Sequence, residues 1–248
     1  MKKNVIDIQG IPFYSTTMNE FMKELKSRII NEQQTFIVTA NPEIVEYALE
    51  DSDYRDMIQT ADYIVPDGIG IIIASKILNK PLKERVTGFD MMQELFQLQL
   101  ERPLRVYMLG AEPEIIKIAA DKVRQNYPSV QLVGYHHGFI DLDDAELADQ
   151  ISSLGPDLVL LGTGFPRQEK WITQYRTKFK KGIFIGIGGS FDVLAGKLNR
   201  APDIWIKLNL EWLYRLIKQP SRWRRMLVLP VFLLRIIKQK LMGSKRHS

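Results

Sequence analysis

A single carboxylate follows an apolar segment in the stretch VPDGIG, residues 65–70. Asp67 could act there as a general base, because a strand-end carboxylate partly shielded from water can take a proton from a bound hydroxyl. An aspartate in this position more often caps the helix that follows. The residue types therefore allow two interpretations of Asp67, and helix capping is the commoner one.

A hydroxyl and an amide stand close together in TANPE, residues 39–43. Thr39 and Asn41 could hydrogen-bond a polar ligand such as a sugar. The pair Asn41-Pro42 is also an ordinary helix start, with proline in the first turn. Both interpretations stay open on the sequence alone.

Two glycine-containing turns, GTGFPRQEKW (162–171) and GIGGSFD (186–192), each follow an apolar run. Glycine lets backbone N–H groups approach an anion closely, so Gly188 and Gly189 suit either phosphate binding or a plain turn. The dinucleotide fingerprint is not matched cleanly. Gly162 and Gly164 would let the chain leave a strand close to a ligand. In the same stretch, the Gln168 amide is the predicted ligand contact, Glu169 suits a helix N-terminus and Trp171 suits the core.

Metal and cysteine chemistry find little support. The chain has no cysteine, which excludes disulfides, thiolate metal sites and cysteine nucleophiles. It has three histidines, which argues against a metal site built from several histidines. The Asp-x-Asp element within 141–144 resembles a cation site, but acids at that point favour a helix start. His136-His137 fits a loop. We expect neither a metal nor another cofactor.

These residues need a scaffold, and the apolar pattern predicts one. Strand-like runs alternate with helical patterns, and several runs are apolar throughout, as in strands covered on both faces. Such alternation predicts a Rossmann-like α/β fold with a mostly parallel sheet and helices on both faces. The predicted strands are 4–9, 35–39, 62–65, 104–109, 131–135, 157–161 and 182–187; the predicted helices are 18–31, 43–51, 68–78, 90–100, 112–126, 143–154 and 166–179.

Ligands of such sheets bind beyond the carboxyl ends of the strands. Glycine, proline or polar residues follow five predicted strands, which predicts one shared crevice; they are 39–42, 66–68, Gly110, 162–164 and 186–190. The alternation stops near residue 200, so we place a Rossmann-like α/β domain at 1–197 and a basic helical appendage at 198–248.

The appendage is strongly basic. From Arg200 onward there are 12 Lys or Arg against two acids, whereas the whole chain of 248 residues has a net charge of +5. On helical spacing its residues separate into an apolar stripe and a basic face. The stripe is Ile204, Trp205, Leu208, Trp212 and Leu216, and the basic face is Lys207, Arg215, Lys218, Arg222 and Arg225.

The apolar run 226–234 is too short to span a membrane and contains a proline. A basic, tryptophan-bearing amphipathic segment is typical of binding to an anionic membrane surface. A solvated helical cap and a nucleic-acid site are the alternatives; nucleic acid gives no reason for the apolar run. The start MKKNVIDIQG shows no signal-peptide pattern. We expect a cytoplasmic protein at the inner face of the membrane, with homo-oligomers possible.

Taken together, these stretches resemble the WecG/TagA/CpsF glycosyltransferases. Their order along nearly the whole chain makes the resemblance specific. The matching residues are Thr39-Ala40-Asn41-Pro42, Pro66-Asp67-Gly68, Glu84-Arg85-Val86-Thr87-Gly88 with Asp90, Leu109-Gly110, Gly162-x-Gly164-x-Pro166-x-Gln168-Glu169-x-Trp171, Gly188-Gly189-x-Phe191-Asp192, Arg200-Ala201-Pro202, Leu210-Glu211-Trp212-x-x-Arg215-Leu216 and Pro220-x-Arg222-x-x-Arg225.

The resemblance implies inverting, metal-independent transfer of N-acetylmannosamine from a UDP donor to N-acetylglucosamine on undecaprenyl diphosphate. The new bond would be β-1,4, in wall teichoic acid linkage-unit synthesis. Asp67 would be the base, while Thr39 and Asn41 hold the sugar. Arginines would replace a metal at the diphosphate, since a guanidinium chelates phosphate. The arginines implied at the diphosphate are Arg215, Arg222 and Arg225, and Arg85 is implied as a further substrate-binding residue.

Two alternatives remain. The same family could use UDP-N-acetylmannosaminuronate or UDP-glucose for another cell-surface polysaccharide. A protein of another class, a non-catalytic nucleotide-binding membrane scaffold, would keep the glycine turns and the basic tail but would not need Asp67.

Overall fold

The computed structural model describes residues 4–218, 220, 223 and 227–244. It begins with an antiparallel hairpin, β1 (Val5–Ile8) and β2 (Ile11–Tyr14), which forms a separate two-stranded sheet. Gln9 and Gly10 both have positive φ, as a two-residue hairpin turn requires. The sequence predicted β1 but not β2, because Pro12 within a short run argues against a strand.

The main sheet has six strands, and every neighbouring pair in it is parallel. Its order is β4-β3-β8-β7-β5-β6. All six correspond to predicted apolar runs. They are β3 (Thr35–Ala40), β4 (Tyr63–Pro66), β5 (Leu104–Gly110), β6 (Val130–His136), β7 (Leu158–Gly162) and β8 (Ile183–Gly186).

Helices cover both faces of this sheet, which confirms the predicted α/β class. Alternate residues of one strand enter different apolar clusters: Val159 and Leu161 on one face, Leu158 and Leu160 on the other. The α-helices that precede the tail are α1 (Met18–Ile30), α2 (Pro42–Glu50), α3 (Ser52–Gln59), α4 (Ile69–Ile77), α5 (Gly88–Phe96), α6 (Pro113–Asn126), α7 (Ala145–Ser153), α8 (Arg167–Tyr175) and α9 (Ser190–Ala195).

Helix α3 was missed by the sequence analysis. Asp51 ends α2 with an extended backbone and caps α3, its Oδ1 accepting from the Tyr54 N–H at 2.9 Å. The short polar segment after α2 carries only two buried side chains, Tyr54 and Ile58, so its periodicity is weak.

The tail is interrupted where the sequence analysis assumed continuous helical spacing. It contains α10 (Asp203–Lys207), α11 (Glu211–Lys218) and α12 (Val228–Ser244). Asn209, with φ of 59°, separates the first two. The predicted stripe therefore divides: Leu208 is exposed, whereas Trp212 lines a cleft. No helix among the described residues has the length and apolar character needed to cross a membrane.

Candidate active site

A cleft lies at the carboxyl ends of β3, β4 and β8, and the tail covers it. It encloses about 230 Å³. The loops after the strands contribute Asn41, Asp67 and Gly189 to its wall, and the connection between α4 and α5 contributes Arg85. The tail contributes Asn209, Glu211 and Trp212, together with the start of α12. The cleft therefore joins the predicted strand-end crevice to the predicted appendage.

Asp67 does not cap a helix. The N-cap of α4 is Gly68, with φ of 108° and no side-chain capping bond, so the commoner interpretation of Asp67 is wrong. Its backbone N–H donates to the Ala40 carbonyl at 2.9 Å, which ties the end of β4 to that of β3. The Gly88 N–H approaches the Asp67 Oδ2 at 3.5 Å. A half-buried carboxylate is thus held in the cleft wall by its backbone.

Asn41 is both the N-cap of α2 and a residue of the cleft wall. Its Oδ1 accepts from the Ile44 N–H at 3.0 Å and caps α2, with Pro42 following. Because the oxygen is engaged, the amide nitrogen is the atom available to a ligand. Thr39 is nearly buried, and its Oγ1 donates to the Gly186 carbonyl at 2.8 Å. Thr39 therefore links β3 to the end of β8.

The turn after β8, residues 186–189, is here called the glycine turn. Gly188 has a φ of 52°, and Gly189 lines the cleft. Gln168, from α8, is 3% exposed and accepts from the Gly188 N–H at 3.1 Å through its Oε1. The predicted donor contact of Gln168 stays a prediction, since its amide contacts the glycine turn from behind the cleft wall.

Gly162 and Gly164 differ in what surrounds them. A side chain at Gly162 would overlap the Phe191 ring, so this position is tightly packed. Gly164 has a φ of 80° and open space beside it. Among the described residues, the buried Thr163 Oγ1 between them has no hydrogen-bond partner. Close packing explains Gly162 without a ligand, whereas Gly164 can approach one.

Ion pairs connect the cleft to the tail. Arg85 Nη1 lies 3.3 Å from Glu211 Oε2, and the two side chains are 16% and 13% exposed. Arg200 pairs with Asp90 and stacks over the Phe89 ring, 4.9 Å from its centroid. These contacts hold the tail against the loop that carries Arg85.

The three predicted tail arginines lie wholly or partly outside the described structure. Arg215 lies in α11, where only its backbone is described. Arg222 and Arg225 lie outside the described residues. Their predicted contact with a diphosphate stays a prediction.

Helix α12 adds to the core of the α/β domain. Phe232 and Ile236 are fully buried in the cluster that includes residues of α2 and α4. Arg235 binds Glu46 of α2 through both carboxylate oxygens, at 3.0 and 3.2 Å. The boundary at 197/198 stays a prediction, but the end of the appendage packs as part of the same core.

The acidic element at 141–144 starts a helix. Asp144 caps α7 by accepting from the Glu146 and Leu147 N–H groups, and Asp141 accepts from the Asp143 N–H. Across the described part of the chain, no group of three or more His, Asp or Glu side chains could hold a metal ion.

Three charged residues near the cleft were not predicted as site residues: Glu169, Arg200 and Glu211. All three stand in the motifs quoted above, but their types alone suggested a helix start or a solvated face. Their burial and partners depend on how distant segments meet, which no local pattern reports.

The sheet order and the position of the cleft define the class of protein. A parallel sheet whose crevice lies beyond its strand ends is a Rossmann-like α/β protein with a ligand site at that edge. The chain belongs to the glycosyl transferase WecG/TagA/CpsF family, whose sequence profile matches residues 6–246.

Curated relatives support the same assignment. Three of them bear the name N-acetylglucosaminyldiphosphoundecaprenol N-acetyl-beta-D-mannosaminyltransferase. The protein of Bacillus subtilis strain 168 is 38% identical over 94% of this chain and 91% of its own length. That of Bacillus spizizenii is 36% identical over 97% and 93%, and that of Staphylococcus aureus strain MW2 is 39% identical over 95% and 93%.

Proposed function

We propose that this chain transfers N-acetylmannosamine from UDP-N-acetylmannosamine to N-acetylglucosaminyl-diphospho-undecaprenol, with inversion and a β-1,4 bond. The names of the relatives support the transferred sugar and the lipid-linked acceptor. The observation that carries the reaction type is the half-buried Asp67 carboxylate beside Asn41 in one strand-end cleft. The reaction belongs to wall teichoic acid linkage-unit synthesis.

In this reaction the acceptor hydroxyl attacks the anomeric carbon of the donor as UDP departs from the opposite side. Asp67 takes the hydroxyl proton, and the bond from the sugar to the diphosphate breaks with its electron pair on UDP. One in-line displacement inverts the configuration and needs no covalent enzyme nucleophile. The Asn41 amide nitrogen and the Thr39 hydroxyl, in their proposed roles, orient the sugar.

The departing diphosphate needs hydrogen-bond donors. Arg85 and the Gly189 N–H supply them from the wall, and Arg215, Arg222 and Arg225 supply them from the tail; Gly188, whose own N–H donates to Gln168, shapes the turn that presents Gly189. Gly164 and Gln168 belong to the proposed donor side. Because Arg85 is paired with Glu211, the tail and the diphosphate meet at the same guanidinium.

The outer face of α12 is proposed to rest on the anionic inner surface of the cell membrane. Phe232 and Ile236 use one face of this helix for the core, while Leu234 and Leu241 on another face are 67% and 62% exposed. Exposed Lys238 lies beside the apolar row, whereas Lys240 lies nearer the core side of the helix, where its Nζ donates to the Asn79 Oδ1 at 3.2 Å. Apolar side chains beside a lysine match a bilayer interface with anionic headgroups, where the lipid-linked acceptor resides.

Purified protein, UDP-N-acetylmannosamine and a short-chain N-acetylglucosaminyl diphosphate lipid test the proposal, with and without a chelator. We expect the disaccharide lipid and UDP in equal amounts, undiminished by the chelator. Faster turnover with UDP-N-acetylmannosaminuronate or UDP-glucose would show that this other UDP-sugar, not UDP-N-acetylmannosamine, is the donor. Binding of UDP without transfer from any of the three donors would favour the non-catalytic scaffold.

A further inference from the structure

Glu169 is a buried carboxyl group outside the cleft. It is 1% exposed, although it sits in the first turn of α8, where an acid normally faces solvent. Burying an ionisable group costs free energy unless the group is paired or hydrogen-bonded. The contacts of Glu169 lead toward the cleft.

A short chain of hydrogen bonds runs from Glu169 to the glycine turn. The Gln168 Nε2 donates to Glu169 Oε1 at 2.7 Å, and the Gln168 Oε1 accepts from the Gly188 N–H at 3.1 Å. Gly189, the next residue, lines the cleft. Two bonds thus connect a buried carboxyl to the backbone proposed to face the diphosphate.

The surroundings of Gln168 leave its amide little room. A side chain at Gly186 would collide with the Gln168 amide nitrogen, so glycine at this position admits the amide. Thr39 holds the same turn from the other side through the Gly186 carbonyl. The glycine turn is therefore fixed at the Gly186 carbonyl by Thr39 and at the Gly188 N–H by Gln168.

The ionised form of Glu169 can select one orientation of the Gln168 amide. A carboxylate only accepts hydrogen bonds, so it requires the amide NH₂ and directs the amide oxygen to Gly188. A protonated carboxyl or a glutamine side chain also offers a donor, which permits the reversed amide. The reversed amide would present NH₂ to the Gly188 N–H and leave that half-buried donor unpaired, at a cost.

We propose that Glu169 is a positioning residue that fixes the Gln168 amide and, through it, the glycine turn of the cleft. Its effect on sugar transfer rests on the proposed function; its effect on the turn does not.

The protonation state of Glu169 makes the inference measurable. Burial raises the pKa of this carboxyl to about 7, against the opposing effects of the Gln168 bond, its own backbone N–H and Tyr54. The Tyr54 hydroxyl of α3 lies near enough to influence this pKa, although the two side chains lack hydrogen-bond geometry. Above the midpoint the carboxylate predominates and the turn is held; below it the amide is released.

The test uses protein labelled with ¹⁵N-glycine, in which the Gly188 amide resonance is followed from pH about 5.5 to about 8.5, bracketing the usual range of such a shifted carboxyl. In the wild type we expect this resonance to move with a midpoint near the Glu169 pKa. In Glu169→Gln the movement should vanish, and kcat/KM for the donor should fall by about tenfold, as for one misdirected buried hydrogen bond.

Controls separate this residue from other carboxyls. Asp67→Asn and Glu46→Gln, the latter a buried glutamate paired with Arg235, should keep the Gly188 titration. The wild-type titration holds the test open if Glu169→Gln does not fold, because it needs no variant. An unchanged titration in Glu169→Gln or a motionless resonance in the wild type would overturn the proposal.

Discussion

The wall of the cleft and the tail that covers it are built in different ways. The wall, the loops after β3, β4 and β8, is held by short bonds between buried groups, such as the Thr39 hydroxyl and the Gly186 carbonyl. The cover, α10 and α11, meets it through exposed or half-buried charges, including Arg85 with Glu211. Ile204 and Leu208 of the cover stay exposed.

This difference suggests a division of work. A wall of satisfied buried bonds keeps Asp67 in one geometry, as general-base catalysis needs. Charged contacts at a half-exposed surface are individually weak. The cover can therefore open at a smaller energetic cost than the wall can deform, while α12, buried through Phe232, anchors its far end.

The anchor predicts the largest effect on folding. Phe232→Ala should lower the free energy of unfolding by about 3–5 kcal/mol, the usual cost of emptying a buried phenylalanine site. Leu234→Ala, in the same helix but 67% exposed, should change it by less than about 0.5 kcal/mol. Urea unfolding followed by circular dichroism measures both. Equal losses in the two variants would mean that α12 is not anchored by its inner face.

The outer face of α12 should govern lipid binding. Replacing Leu234 and Leu241 by aspartate should weaken partitioning to anionic vesicles by about tenfold per side chain, because each loses most of its apolar transfer energy. Unfolding by urea should be unchanged. Sedimentation with phosphatidylglycerol vesicles checks the binding, and the double variant Lys26→Asp with Lys117→Asp, on helices away from the tail, is the control. If vesicle binding persisted while sedimentation velocity showed a lost dimer, the face would be a subunit contact instead.

The smallest effect should come from the contact between cover and wall. Glu211→Gln removes a charge-assisted bond to Arg85, which we expect to speed hydrogen exchange of the α11 amides by about threefold, equivalent to about 0.7 kcal/mol. Exchange in β3 and β8 should not change, since their bonds are internal. Uniformly faster exchange in both regions would contradict the separation of cover from wall.

The sequence was most informative where apolar runs are long. It predicted all six strands of the main sheet, because each falls in an apolar run bounded by glycine, proline or polar residues. It also placed Asn41, Asp67 and Gly189 at strand ends that share one crevice, as the cleft shows. It misjudged the capping preference at Asp67, since Gly68 takes the N-cap with a φ that suits glycine.

Tertiary contacts explain the remaining differences. The burial of Glu169 and its bond to Gln168 arise from α8 packing against α3 and the glycine turn, which the local pattern of α8 does not encode. The break at Asn209 interrupts an apolar periodicity that looked continuous. Likewise, α12 has apolar side chains on an inner and an outer face, so its run of apolar residues alone could not assign either face.

The most direct test of the account compares turnover with UDP affinity in Asp67→Asn. The account predicts that kcat for transfer from UDP-N-acetylmannosamine falls by about 10²–10⁴, as for loss of a general base, while the Kd for UDP measured by calorimetry changes less than about twofold. Asp56→Asn, an exposed position on α3, should change neither. Wild-type turnover in Asp67→Asn would contradict general-base catalysis at the cleft wall.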